Sequence, residues 1–333
     1  MRFSIVIATY NRATQLKDTL ESLSRLEPGA PWEVVVVDNN SPDDTRGVVE
    51  TAAAGYPAPL RYAFEKEQGR SAALNHGFRV ARGEIIVTTD DDVRVAPDWL
   101  NTIERGLETL QCDYVGGRVR PMWESEPPPW IPRTNGRLWA VIALLDYGPE
   151  PIVFGNRVPL GVNMAMRRSA IERAGGFDTR IGRKAGTLLG QEVREWCLRA
   201  HAAGLVGCYV PDIVVEHLIP TERLNKRYFR RWFYWRGISR AMLYAQTGKD
   251  MESPEQSQLD FSRVKHIAGV PRYMFRSALV AVRDVVSATL RGHVAEAFER
   301  ELWLWMFAGI VARRWKDRAI GAPALKPTVT AAP

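Results

Sequence analysis

A chain of 333 residues is long enough to bury a large core, as one big domain or as one domain with an appendage. Its 46% hydrophobic and 25% charged content excludes a disordered protein, and three cysteines without metal-site spacing (Cys112, Cys197, Cys208) exclude a disulfide framework, so a reducing cytoplasm is the simplest compartment. The formal charge of +7 suits an anionic substrate, nucleic acid or an acidic membrane surface, and selects none of them.

The opening MRFSIVIATYNR has one brief apolar run, which reads as a first strand over Phe3–Ala8 rather than as a signal peptide. Leu16, Leu20 and Leu23 then recur at helical spacing. Val34–Val37 is wholly apolar, as expected of a strand covered on both sheet faces. Ser41-Pro42, with Asp44 three residues after the serine, predicts a helix start: cap, first-turn proline and a carboxylate near the dipole. Leu60–Phe64 reads as a third strand, Ser71–Val80 as a helix ended by Arg82-Gly83, and Glu84–Thr89 as a fourth strand. Pro97 opens another helix, and Tyr114–Val119 is another strand. The alternation predicts an α/β sandwich with right-handed crossovers.

The rhythm breaks over residues 121–160, whose proline- and tryptophan-rich PMWESEPPPWIP reads as a loop folding over a site. Strand character returns at Gly161–Met166, then a short helix over Arg167–Ala174 ends at Gly175-Gly176. Gln191–Ala203 reads as helix, Val206–Val210 and Ile213–Glu216 as two strands, and the chain beyond residue 222 as mainly helical, with a loose tail over 321–333. No stretch reaches the roughly 20 apolar residues of a membrane span; Leu302–Ala312 is about half that.

Polar groups gather where the apolar strands end: Thr9, Tyr10 and Asn11, then Asp38 and Asn39, then Asp90, Asp91 and Asp92. That converges them on one edge of the sheet, the usual ligand crevice of α/β folds. There is no GxGxxG and no GxxxxGK[ST], so a nucleotide would be held by side chains instead. Three adjacent carboxylates repel one another where water is scarce, so they either carry a hard divalent cation with phosphate oxygens or form a solvated turn capping the next helix. Asp38 suits a base or ribose contact or a helix cap, and Tyr10 a base platform or the core edge. Arg70 suits a phosphate or simple exposure, Glu192 and Glu195 a general base or a solvated helix face, and His217 a metal or the core.

Five segments in order resemble the inverting family 2 glycosyltransferases: SIVIATYNR (Ser4–Arg12), VVVVDNNSPDDT (Val34–Thr45), GRSAALNHGFRVARGEIIVTTDDD (Gly69–Asp92), GVNMAMRRSAIERAGGFD (Gly161–Asp178) and EWCLRAHAAGLVGCYVPDIVVEH (Glu195–His217). The resemblance spans about residues 3–220 and implies the GT-A fold, a Rossmann-like mixed central sheet flanked by helices. A nucleotide-sugar domain would occupy 1–221, divided into a donor half (1–120) and an acceptor half (121–221), with a helical basic/aromatic extension over 222–320. It implies that Thr9, Tyr10, Asn11, Asp38 and Arg70 hold the nucleotide. Asp90 and Asp92 would be the ends of a DxD, with Asp91 between them and Asp92 the direct ligand of Mg²⁺ or Mn²⁺. His217 would complete the metal site, and Asn163 would lie near the sugar or acceptor. Where the family often carries Gly-Glu-Asp-x-Glu, with the aspartate as base, this chain has Gln191-Glu192-Val193-Arg194-Glu195. Valine abstracts no proton, so Glu192 is the expected base, with Glu195 as the other candidate.

The implied activity is inverting transfer from a nucleotide-sugar donor, with UDP the preferred nucleotide on family frequency, to a saccharide or lipid-linked acceptor. A noncatalytic nucleotide-sugar binder or scaffold is the alternative that Val193 suggests. A nucleotidyltransferase is disfavoured because TYNRATQ is not a lysine- and glycine-rich loop, and nucleic acid because three aspartates repel its backbone. Arg223, Lys226, Arg227, Arg230, Arg231, Arg236 and Arg240 interleave with Tyr228, Phe229, Trp232, Phe233, Tyr234 and Trp235. That segment fits an anionic membrane surface, nucleic-acid stacking or packing on the protein itself. Leu302, Trp303, Trp305, Met306, Ile310 and Val311 fit a core helix, a homodimer helix or a membrane surface. The expected location is cytoplasmic, peripheral on the inner face of the plasma membrane.

Overall fold

Apolar β-branched runs bounded by polar turns form the centre of the sheet. β1 (Phe3–Thr9), β2 (Trp32–Asp38), β3 (Leu60–Phe64) and β4 (Ile85–Thr89) are parallel, in spatial order β3-β2-β1-β4. Every residue of β2 and β4 is buried, as helices covering both faces require. The connecting helices are α1 (Ala13–Leu23), α2 (Thr45–Ala53) and α3 (Arg70–Val80). The computed structural model describes residues 1–133, 136, 138–247 and 264–319. The expected tail over 321–333 lies outside the described residues.

β5 (Val93–Val95) follows the aspartates, and α4 (Trp99–Thr109) leads to β6 (Tyr114–Trp123). β7 (Ile152–Val153), β8 (Met164–Arg167), α5 (Arg168–Ala174), α6 (Glu192–Ala202) and β9 (Gly207–Ile219) complete this part. The sheet is mixed: β8 is antiparallel to β4 and β6, β6 is parallel to β9, and β5 and β7 are antiparallel to β9. The described residues therefore have the mixed α/β architecture expected from the resemblance, and helices dominate beyond residue 222.

Several boundaries differ from the sequence reading. β9 is one strand rather than two; its register against β6 shifts between Gly117 and Arg118, so Pro211-Asp212-Ile213 bulge without breaking it. A Cβ on Gly117 would lie 1.8 Å from the Ile213 carbonyl oxygen, so only glycine lets the bulge close. α2 starts at Thr45, capped by Asp44, whose Oδ1 accepts from the Gly47 N–H at 3.2 Å. Ser41, expected as the cap, instead donates its N–H to Asp38 Oδ1 at 2.9 Å and accepts from the Asn11 N–H at 2.9 Å. The proline- and tryptophan-rich stretch begins as strand, since β6 runs through Trp123.

The chain divides into two compact units, Met1–Ala185 with Glu192–Thr221, and Gly186–Gln191 with the chain from Glu222 onward. In the second unit, α7 (Lys226–Thr247), α8 (Arg272–Leu290) and α9 (Val294–Ala319) enclose their own core of Ala241, Tyr244, Val270, Met274, Met306 and Ile310. Gly237 and Gly309 allow α7 and α9 to touch: a Cβ on either would lie 2.0 Å from a carbonyl oxygen of the facing helix.

Candidate active site at the strand ends

Because β1, β2 and β4 are parallel and in register, Thr9, Asp38 and the aspartates after Thr89 leave the sheet on one edge. Asp91 and Asp92 are buried and Asp90 is half-buried, so the triplet is not a solvated turn. Each carboxylate has its own partners. Asp90 Oδ1 accepts from Arg70 Nη2 at 2.7 Å. Asp91 accepts from Thr9 Oγ1 at 2.7 Å and from Arg12 Nη1 at 3.0 Å. Asp92 Oδ2 accepts from the same Arg12 Nη1, while its Oδ1 lies 3.2 Å from His217 Nε2.

β5 brings the histidine there. Its three residues pair antiparallel with β9, putting Val93 opposite His217, and the Leu218 N–H donates to the Asp92 carbonyl at 2.9 Å. One ligand atom from each of Asp90, Asp92 and His217 falls within 4.8 Å of the other two. Nε2 and a carboxylate oxygen 3.2 Å apart repel unless a proton or a cation lies between them, and the buried Nδ1 has no hydrogen-bond partner. Two carboxylates and an imidazole are a fitting donor set for a divalent cation.

Charge sets the electrostatics. Burial pushes the Asp91 carboxyl up, with Asp92 adding to it and Arg12 opposing. Burial acts on Asp92 in the same direction, but His217 and Arg12 outweigh it and hold that carboxyl below its usual range. Desolvation would raise the Asp90 carboxyl too, but Arg70 keeps it below the usual range. Arg12 is the residue that sequence reasoning missed. Its only signal was a cation in SIVIATYNR, one strand away from three carboxylates.

Arg70 opens α3 after Gly69, whose φ of +148° suits only glycine. Besides Asp90, its Nη1 reaches Glu192 Oε1, the first residue of α6, at 3.4 Å. A Cβ on Gly161 would lie 2.9 Å from Arg70 Nη1, so this glycine makes room for the guanidinium. Thr88 and Thr89 hold that segment in place, donating to the Gly161 and Val162 carbonyls at 2.8 and 2.9 Å.

Asp38 is buried, accepting from Ser41 N–H and from Tyr62 O–H at 2.8 Å. Tyr10 is exposed, and Asn11 takes a left-handed φ of 55° that asparagine tolerates well. Glu195 is drawn into a two-pronged pair with Arg199 at 2.6 and 2.7 Å, and Arg199 in turn caps the Ala174 and Gly176 carbonyls. Asn163 is buried with its amide fully engaged, accepting from Trp99 Nε1 at 3.2 Å and donating to the Arg118 and Ile213 carbonyls at 2.9 Å. Asn39, at the end of β2, holds Gly69 in place by accepting its N–H at 2.7 Å.

A family profile described as Glycosyl transferase family 2 matches residues 4–175. The glucosyl-dolichyl phosphate glucuronosyltransferase of Haloferax volcanii is 26% identical over 310 residues, covering 88% of this chain and 96% of that protein. Glycosyltransferase AglE of the same organism is 27% identical over 235 residues, covering 68% and 70%. Among solved structures, the mannosyltransferase PcManGT from Pyrobaculum calidifontis, in complex with GDP-Man and Mn²⁺, superposes with a TM-score of 0.62 at 20% identity, covering 95% of this chain and 87% of that one. That likeness carries the fold.

Proposed function

The chain belongs to glycosyl transferase family 2, and we propose that it moves one sugar, with inversion, from a nucleoside-diphosphate donor to a hydroxyl of a lipid-linked acceptor. The observation that carries this reading is the meeting of Asp90, Asp92 and His217 with the Asp90–Arg70–Glu192 chain at one edge of the parallel strands. UDP is the preferred nucleotide. The lipid-linked acceptor is supported by the glucuronosyltransferase likeness, which runs nearly end to end through both proteins.

Thr9, Tyr10, Asn11 and Asp38 would hold the nucleotide. Each oxygen of Asp38 keeps a lone pair beyond its present bond, enough to take a base or ribose donor. Asp90, Asp92 and His217 would hold Mg²⁺ or Mn²⁺, which when bound supplies positive charge at the diphosphate as the leaving group becomes an anion. Arg12 keeps Asp91 and Asp92 together as anions by donating to both from Nη1. Glu192 would receive the acceptor proton: the acceptor oxygen bonds the anomeric carbon, the bond to the leaving phosphate oxygen breaks, and the proton goes to Glu192. Arg70 orients that carboxylate. Glu195, tied to Arg199, braces α6 against the end of α5.

A noncatalytic sugar-nucleotide binder remains the second reading, favoured by Val193 at the position where relatives carry their base. A thermal-shift screen of UDP-, GDP- and dTDP-sugars with and without Mn²⁺, followed by assay of released nucleoside diphosphate with polyprenyl-phosphate sugars, separates the two. Release that requires both acceptor and divalent cation supports transfer. Stabilisation by a donor without any release across the acceptor panel supports the binder.

A further inference from the structure

Helix α8 turns Met274, Ala281 and Ala288 inward. On the opposite side Leu279, Val282, Val286 and Leu290 recur at i, i+3, i+7 and i+11, spacing that places them along one face of a helix. They are 73%, 48%, 52% and 83% exposed. Exposed aliphatic residues are ordinary one at a time; four in a row mark a surface that meets something apolar.

The charges beside the row have one sign. Arg272, Arg276 and Arg283 are exposed and lie within about 60° of it around the helix axis. Asp284, the sole acid of α8, lies off that face, half-buried, and is paired by Arg283 and Arg300. A second copy of this face would bring arginines without carboxylates to meet them, whereas phosphate headgroups over acyl chains match both features. No helix among the described residues is long and apolar enough to cross a membrane, so the match is to a bilayer's surface.

We propose that the outer face of α8 docks the protein on an anionic lipid bilayer, with Leu279, Val282, Val286 and Leu290 at the acyl boundary and Arg272 and Arg276 at the phosphates. This face lies on a different helix from the two segments that the sequence suggested. In those segments Phe229 of α7 and Leu302, Met306 and Ile310 of α9 are buried inside the helical unit, Trp232, Phe233, Tyr234, Trp235 and Trp303 are half-buried, and Trp305 is exposed.

The test is co-sedimentation of the full chain with phosphatidylcholine vesicles with and without phosphatidylglycerol, at rising salt. Wild-type protein is expected to pellet with the anionic vesicles and to be released by salt. The Leu279→Ser/Leu290→Ser variant, altered only at exposed positions, is expected to lose about tenfold or more in vesicle affinity. A second reading uses Val286→Cys labelled with an environment-sensitive dye; Cys112, Cys197 and Cys208 are buried, so the label goes to the new site. Its emission should shift to the blue on anionic vesicles. Undiminished binding by the double variant, binding to neither vesicle or an unshifted label would overturn the proposal. So would a vesicle-independent dimer that the double variant dissolves. Neither donor nor acceptor is present, so a negative result here leaves the transferase reading intact.

Discussion

Replacing Arg12 by methionine keeps most of the side-chain volume and deletes the guanidinium that touches both Asp91 and Asp92. Taking one partner from a buried ion pair costs about 3–5 kcal/mol, because the other charge stays behind in a poor solvent. Arg12 keeps 27% of its side chain exposed, so water screens part of this and about 2–3 kcal/mol is expected. For a unit of this size that lowers Tm by about 5–10 °C. The loss should depend on pH. Burial and Asp92 already raise the Asp91 carboxyl in the folded protein, so above the unfolded pKa the native state holds more protons than the unfolded one. Stability therefore falls as pH rises through the folded pKa, and losing Arg12 carries that pKa higher. Thermal unfolding followed by circular dichroism from about pH 5 to about pH 8 should show the variant's deficit widening with pH. Mn²⁺ should restore more Tm to the variant than it adds to wild type, since it replaces the missing charge. A deficit that is absent, or equally large across the pH range, would refute this reasoning.

Three other substitutions probe separate parts of the first unit. Glu33 is fully buried, and although burial alone would raise its carboxyl, Ser4 Oγ at 2.6 Å, the Arg82 N–H at 2.7 Å and Arg61 at 3.0 Å hold it below the usual range. Its stabilisation is present above an unfolded pKa of about 4.3 and is lost as pH falls through the folded value. Glu33→Gln should therefore cost about 1–3 kcal/mol at neutral pH and flatten the acid limb of a Tm–pH curve. Glu192→Gln should cut kcat by about 10²–10⁴-fold with little change in donor KM, whereas Glu195→Gln should lower Tm and spare most of kcat. Steady-state kinetics beside a melting curve separates the two glutamates.

What the sequence made legible was local. Apolar β-branched runs ending in Thr9, Asp38 and Asp90–Asp92 gave the strands and the edge they share, because a parallel sheet buried on both faces leaves few other patterns. What it hid was created by tertiary pairing. β5 is three residues of Val-Arg-Val, too short for a periodic signal, yet its pairing with β9 is what brings His217 to Asp92. Pro211-Asp212 reads as a break between strands, but a bulge absorbs it. Ser41-Pro42 has the chemistry of a cap, which the Asn11 turn and Asp38 divert. The basic and aromatic α7 resembles a membrane face in one dimension, yet Phe229 is buried against Phe298 of α9 and Phe233 packs on the helical core, while the exposed apolar row falls on the aliphatic α8.

The reading depends on a divalent cation held by Asp90, Asp92 and His217 beneath a donor diphosphate. Calorimetric titration of UDP, or of whichever nucleoside diphosphate best stabilises the protein, into wild type and Asp92→Asn with and without Mn²⁺ tests this most directly, with melting curves to certify folding. The prediction is that Mn²⁺ tightens nucleotide binding to wild type by about a hundredfold and that folded Asp92→Asn loses this gain while keeping its metal-free affinity. Equal tightening in both proteins, or none in wild type, would contradict it.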